Sequence, residues 1–193
     1  MLKFTLIVGV YADILIGGGF IAKTKKLTIS AMMIALYVVL MYCTQSFAFG
    51  QYQLRIATSL YAFAYFFPFL VLPMGIANML SNMVMGGMGV FDIVGGFAAG
   101  ILTTLLMVLI RRKNWSSWLV ALPIAFVPSL LVPIWLSKII GVPYPALFVS
   151  LFVGQAVAGI IGAAIVKVMK DKIPLIMGDM MQRGENTADQ RTA

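Results

Sequence analysis

The stretch 78–100, NMLSNMVMGGMGVFDIVGGFAAG, places two amides and one carboxylate where they can work together on a small polar molecule. Asn78 and Asn82 stand four residues apart, on one face of any helix, and a glycine-rich turn separates them from Asp92. From Asp92 the same face runs on through Gly96 and Gly100, a shallow groove of backbone beside one acid. Arg55 and Gln155 complete the set of candidates. Amides donate and accept, a carboxylate accepts and a guanidinium donates, so these residues suit recognition by hydrogen bonds. They do not suit catalysis. The chain has no histidine and a single cysteine, Cys43, which removes the usual ligands of zinc and haem, histidine acid-base chemistry and an intrachain disulfide. No catalytic residue, metal or cofactor is expected.

The elements that position these groups must be membrane helices. Of 193 residues, 62% are apolar and 10% charged, with a mean hydropathy of +1.01; a soluble domain carries about 25% charged residues. A bilayer core of roughly 30 Å asks for about 20 apolar residues per spanning helix. Barrel-type alternation is absent, so helices must satisfy the backbone in lipid. The fold class expected is an all-α integral membrane protein, a six-helix transmembrane bundle over residues 23–172.

Residues 1–22 precede that bundle as an extra hydrophobic segment with Asp13 at its centre. Three readings stay open for it: signal-like, an additional helix, or a start assigned too early. The first core helix is expected at about 27–47, carrying Ala31 and Ala35, an A-x-x-x-A step that lets another helix come close. A polar interlude from Gln45 to Thr58 holds Phe49, Tyr52 and Arg55, either a connector or a ligand loop. The second helix, about 56–72, is aromatic-rich and ends at Pro73; the third, about 74–88, is short. The fourth, about 91–110, starts with Asp92. The fifth, about 115–137, is expected to kink at Pro123, Pro128 and Pro133. Its flanking Trp115, Trp118 and Trp135 have the spacing of two membrane aromatic belts. The sixth, about 146–171, has small residues at Gly154, Ala158 and Gly162 beside Gln155. Residues 173–193 are expected to be a polar, disordered tail.

Basic clusters at 23–26, 111–113 and 167–172 hold nine of the fourteen Lys and Arg. With six helices they all fall on one side, and the positive-inside rule makes that side cytoplasmic, N-in and C-in, in the cell membrane. Arg55, Asp92 and Gln155 then share the outer face. The net charge of +8 is thereby topological and implies no nucleic acid.

The order TKKLTISAMMIALYVVL, FGQYQLRIATSLYAFAYFFP and IANMLSNMVMGGMGVFDIVGGFAAGILTTLL, ending in RRK, resembles the queuosine-precursor transporter (QueT) family of substrate-binding (S) components of energy-coupling factor (ECF) transporters. The resemblance spans about residues 24–172. It implies a non-enzymatic subunit that binds a small molecule outside the cell and delivers it with an ECF transmembrane coupling subunit and two ATPase subunits, in contact with membrane lipid. No G-x-x-x-x-G-K-[ST] loop is present, so ATP hydrolysis belongs to partners. Ala31 and Ala35 would dock the coupling subunit. For a 7-deazaguanine-like cargo, Asp92 would accept two N–H groups as a bidentate pair. Asn78, Asn82 or Gln155 would serve the carbonyl and ring nitrogens. Phe49, Tyr52 and Tyr61 would stack on its face, aromatic stacking being worth about 1–3 kcal/mol per base in nucleic-acid proteins. Two places depart from the family pattern: Arg55-Ile56-Ala57-Thr58 stands where an arginine followed shortly by a glutamate is expected, and Gly154-Gln155 stands where Gly-Glu is expected.

Plainer roles stand beside these. Asp92 can cap a helix, Asn78 and Asn82 can tie helices together, and Arg55 can anchor at headgroups. Two other functions also remain, an S component for another vitamin or nucleobase and a non-transport membrane scaffold. A membrane enzyme lacks a nucleophile-base pair.

Overall fold

The computed structural model describes residues 20–48, 53–85 and 89–192, with side chains described over 23–46, 48, 53–85 and 89–172. Residues 1–19 of the extra segment 1–22 and the loop residues Phe49 and Tyr52 lie outside the described residues; residues 20–22 of that segment are helical. The described residues form helices joined by short irregular connections, with no strand among them. Helix α1 runs Phe20–Cys43, followed by a single turn, α2, Gln45–Ala48. A 3₁₀ helix, Ile56–Tyr65, and a short one, Pro68–Leu70, lead into α3, Val71–Val84. Then come α4, Val90–Arg112, a 3₁₀ turn Ser117–Val120 with α5, Ala121–Ile140, and α6, Tyr144–Thr192.

Among the described residues, four stretches are long and apolar enough to cross a membrane: Lys23–Cys43, Val90–Arg112, Ser117–Ile140 and Tyr144–Lys172. The two between α1 and α4 are shorter. Their boundaries differ from expectation, as does the start of α1, which begins at Phe20 and not at about residue 27. The break falls at Phe66 and Phe67, before Pro68, and not at Pro73. Pro73 sits in the first turn of α3, where a proline takes no hydrogen bond from the helix. The second segment is wound as a 3₁₀ helix, so its ten residues cover about 20 Å where an α-helix would cover about 15 Å. At the other end, the α6 backbone continues through the polar stretch expected as a disordered tail, to Thr192.

The 3₁₀ helix lies at the centre of the bundle. Ala57, Leu60 and Tyr61 pack with Tyr37 and Met41 of α1 and with Leu70, Met74 and Ala77. Ala62, Ala64 and Tyr65 pack with Met107 and Ile110 of α4, Ile124 of α5 and Ala158 and Val166 of α6. Beyond its end, Arg111 Nη1 donates to the carbonyls of Tyr65 (3.2 Å) and Phe66 (2.8 Å), meeting acceptors that the helix leaves open. Close helix crossings rest on glycine. A Cβ at Gly100 would lie 3.0 Å from Gly75 Cα, and one at Gly159 would lie 2.7 Å from the Ala121 carbonyl oxygen. Helix α4 begins at Gly89, whose φ of 96° only glycine takes without strain. This turn carries Asp92 back against α3.

Candidate functional site

Among the described residues, the buried charged and amide side chains gather at the end of the bundle where the 3₁₀ helix and α4 begin. Arg55, Asn78, Asn82, Asp92 and Gln155 line one cleft, joined by Gln53, Thr58, Gly96, Ala99, Pro128 and Val132. Five residues chosen from four separate parts of the sequence thus meet. All five are less than a tenth exposed, and burying charge or amide in an apolar bundle is costly unless each group is held by hydrogen bonds.

Those bonds run from helix to helix. Arg55 Nη1 donates to Asn78 Oδ1 at 3.2 Å, and Asn78 Nδ2 donates to the Gly96 carbonyl at 2.8 Å. One amide of α3 thereby couples the start of the 3₁₀ helix to α4. One turn further, Asn82 Nδ2 donates to the Asp92 carbonyl at 2.9 Å. Gly96 makes this approach feasible, because a Cβ there would lie 2.6 Å from Asn82 Nδ2. The glycine face foreseen beside Asp92 is therefore packed against α3: Gly96 lies under the two amides and Gly100 lies against Gly75.

Asp92 occupies the first turn of α4, where a carboxylate complements the helix dipole. Its Oδ1 also accepts the indole N–H of Trp135 at 3.1 Å. The Trp135 ring lies on Gly95, where a Cβ would stand 2.5 Å from ring carbons. Trp135 therefore orients the acid, a role that its reading as a belt residue did not contain. Across the cleft, Thr58 Oγ1 is placed to donate both to the Arg55 carbonyl (2.6 Å) and to Gln155 Oε1 (2.9 Å). With one proton it serves one acceptor at a time, which leaves the Gln155 amide able to turn to another partner.

Gln53 stands at the cleft with a φ of 40°, an uncommon conformation for a residue with a side chain. The described lining carries one carboxylate and one guanidinium, so its formal charge is zero. The space between the walls is about 10 Å³, the room of one water molecule. A ring-sized molecule is admitted only as the walls part.

Other residues singled out from sequence lie elsewhere. Tyr61 is fully buried behind the cleft, its ring stacked on Tyr37 at 5.7 Å with the two hydroxyls 3.3 Å apart. Ala31 and Ala35 lie on the exposed side of α1, next to exposed Leu27, Met32, Leu36 and Val39. Thr58, Pro128, Val132 and Trp135 were not foreseen as part of the site. Proline at 128 was read only as a kink, yet it lines the cleft together with Val132, one turn further along α5.

A family model described as QueT transporter matches residues 27–171. No curated protein and no solved structure matches the chain.

Proposed function

The chain belongs to the QueT transporter family, and from that premise we propose that it is the S component of an ECF-type importer, capturing a queuosine precursor, a 7-deazaguanine-like base, at the outer face of the cell membrane. The observation that carries the proposal is the meeting of Asp92, Asn78, Asn82, Arg55 and Gln155 in one buried cleft of zero formal charge. A neutral, planar base rich in donors and acceptors matches such walls better than an anionic vitamin, which would need an excess of cationic groups. A guanine-like edge gives two N–H groups to the oriented carboxylate of Asp92, and the amides take the remaining polar atoms.

The positive-inside rule supports N-in and C-in, with the cleft outside and Lys23, Arg111, Arg112 and Lys167 at the cytoplasmic side. The two short helices before α4 complete six membrane segments in this reading. The exposed alanines of α1 serve as the surface for the coupling subunit, and two ATPase subunits supply the energy. Phe49 and Tyr52 are assigned the stacking on the base in this reading.

A second reading, an S component for another vitamin or nucleobase, is favoured by one specific observation. Thr58 and Gln155, neutral where the family pattern suggests acids, both line the cleft and bond each other at 2.9 Å. Native mass spectrometry of the purified protein, followed by titration with a panel of queuosine precursors, vitamins and nucleobases, separates the two. Retention of a 7-deazaguanine base supports the first reading, a different retained molecule supports the second, and no ligand with no co-purifying partner leaves a membrane scaffold.

A further inference from the structure

Asn82 is 1% exposed, and its Oδ1 is buried with no hydrogen-bond partner among the described residues. The orientation of this amide is not in question. Nδ2 faces the Asp92 carbonyl at 2.9 Å, and turning the amide over would set oxygen against oxygen. A buried carbonyl without a donor is rare in folded proteins and calls for a reason, such as a missing ligand. Asn82 lines the cleft, and its amide is tied to the same residue whose carboxylate is held by Trp135. The orphan acceptor and the oriented acid are therefore neighbours on one wall.

A guanine-like edge carries three N–H bonds, one on the ring and two on the exocyclic amine. A carboxylate in bidentate contact takes the ring N–H and one amine hydrogen, which leaves one amine hydrogen over. We infer that Asn82 Oδ1 accepts this remaining hydrogen, so that Asp92 and Asn82 together select substrates bearing an unsubstituted primary amine next to a ring N–H. The inference rests on the 7-deazaguanine reading and makes Asn82 the residue that reads the amine.

The test compares 7-deazaguanine with its N2-methyl analogue by titration on the purified full chain, wild type and Asn82→Ala. The analogue keeps both hydrogens that face Asp92 and loses the one that faces Asn82. Wild-type protein is expected to bind the analogue about tenfold or more weakly than the parent base, and Asn82→Ala, with neither acceptor nor bulk at that place, is expected to bind both within a factor of about two of each other. Equal binding of the two bases by wild-type protein overturns the inference without any variant, and so does undiminished discrimination by Asn82→Ala. Asn82→Cys, small and without an oxygen acceptor, replaces the alanine variant should that one not be recovered folded. Absence of 7-deazaguanine binding to wild-type protein is a different failure, because it removes the functional reading itself.

Discussion

The indole N–H of Trp135 reaches Asp92 Oδ1 at 3.1 Å while its ring covers Gly95. The carboxylate is thereby held before any substrate arrives. Trp135→Phe keeps a ring over Gly95 and removes only the donor. A hydrogen bond to a charged group contributes about 1.5–3 kcal/mol, so the variant is expected to lower the melting temperature of the ligand-free protein and, with the acid no longer held in place, to lose about tenfold or more in substrate affinity by calorimetric titration. Unchanged affinity would remove Trp135 from the site. Most of the cleft was legible as residues, because an amide or acid inside an apolar run is conspicuous and costly, and Arg55, Asn78, Asn82, Asp92 and Gln155 do converge. Thr58 was not, since threonines in apolar helices commonly bond their own preceding turn, as Thr103 and Thr104 do here. Trp135 was hidden for a related reason: its spacing from Trp118 has a sufficient explanation in the aromatic belts. Tyr61 shows the converse, an aromatic near the site in sequence whose ring is engaged by Tyr37.

At the scale of elements, the central 3₁₀ helix connects the cleft to the opposite end of the bundle. Arg55 and Thr58 stand at its start, and Arg111 holds the carbonyls of Tyr65 and Phe66 at its finish. Its winding could not be read from the sequence. IATSLYAFAY is buried on nearly all sides, so no apolar stripe distinguishes a period of 3.0 from one of 3.6. The apolar runs of α1, α4, α5 and α6 were legible because each is ended by a glycine, a proline or a basic cluster, although α1 begins earlier, at Phe20, and α6 continues past its basic cluster to Thr192. The break before Pro68 was missed because Pro73 offered a second proline at which to end a helix, and only the packing of Phe66 and Leu70 decides between them. Arg111→Met keeps the apolar stem and removes the guanidinium from the two carbonyls. It is expected to cost about 1–3 kcal/mol of stability, seen as a lower melting temperature in detergent, while affinity at the cleft, about 28 Å away along α4, stays unchanged. A loss of affinity equal to that of Trp135→Phe would contradict this division of roles.

For the whole molecule, the cleft and the exposed face of α1 are separate surfaces. The cleft is built by the 3₁₀ helix, α3, α4, α5 and α6, whereas Ala31 and Ala35 face away from them among exposed apolar side chains. Ala31→Leu is therefore expected to leave substrate affinity intact and to prevent co-purification with the coupling subunit; assembly at wild-type yield would assign that face to lipid alone. The central claim, that a folded membrane protein of this family holds a 7-deazaguanine-like base through Asp92, is tested most directly by titrating 7-deazaguanine into purified wild-type and Asp92→Asn proteins. The amide is nearly isosteric and still accepts from Trp135, so folded yield should match wild type. Saturable binding to wild-type protein, abolished in Asp92→Asn at equal folded yield, is the result predicted. Equal binding by both proteins, or none by the wild type, would contradict it.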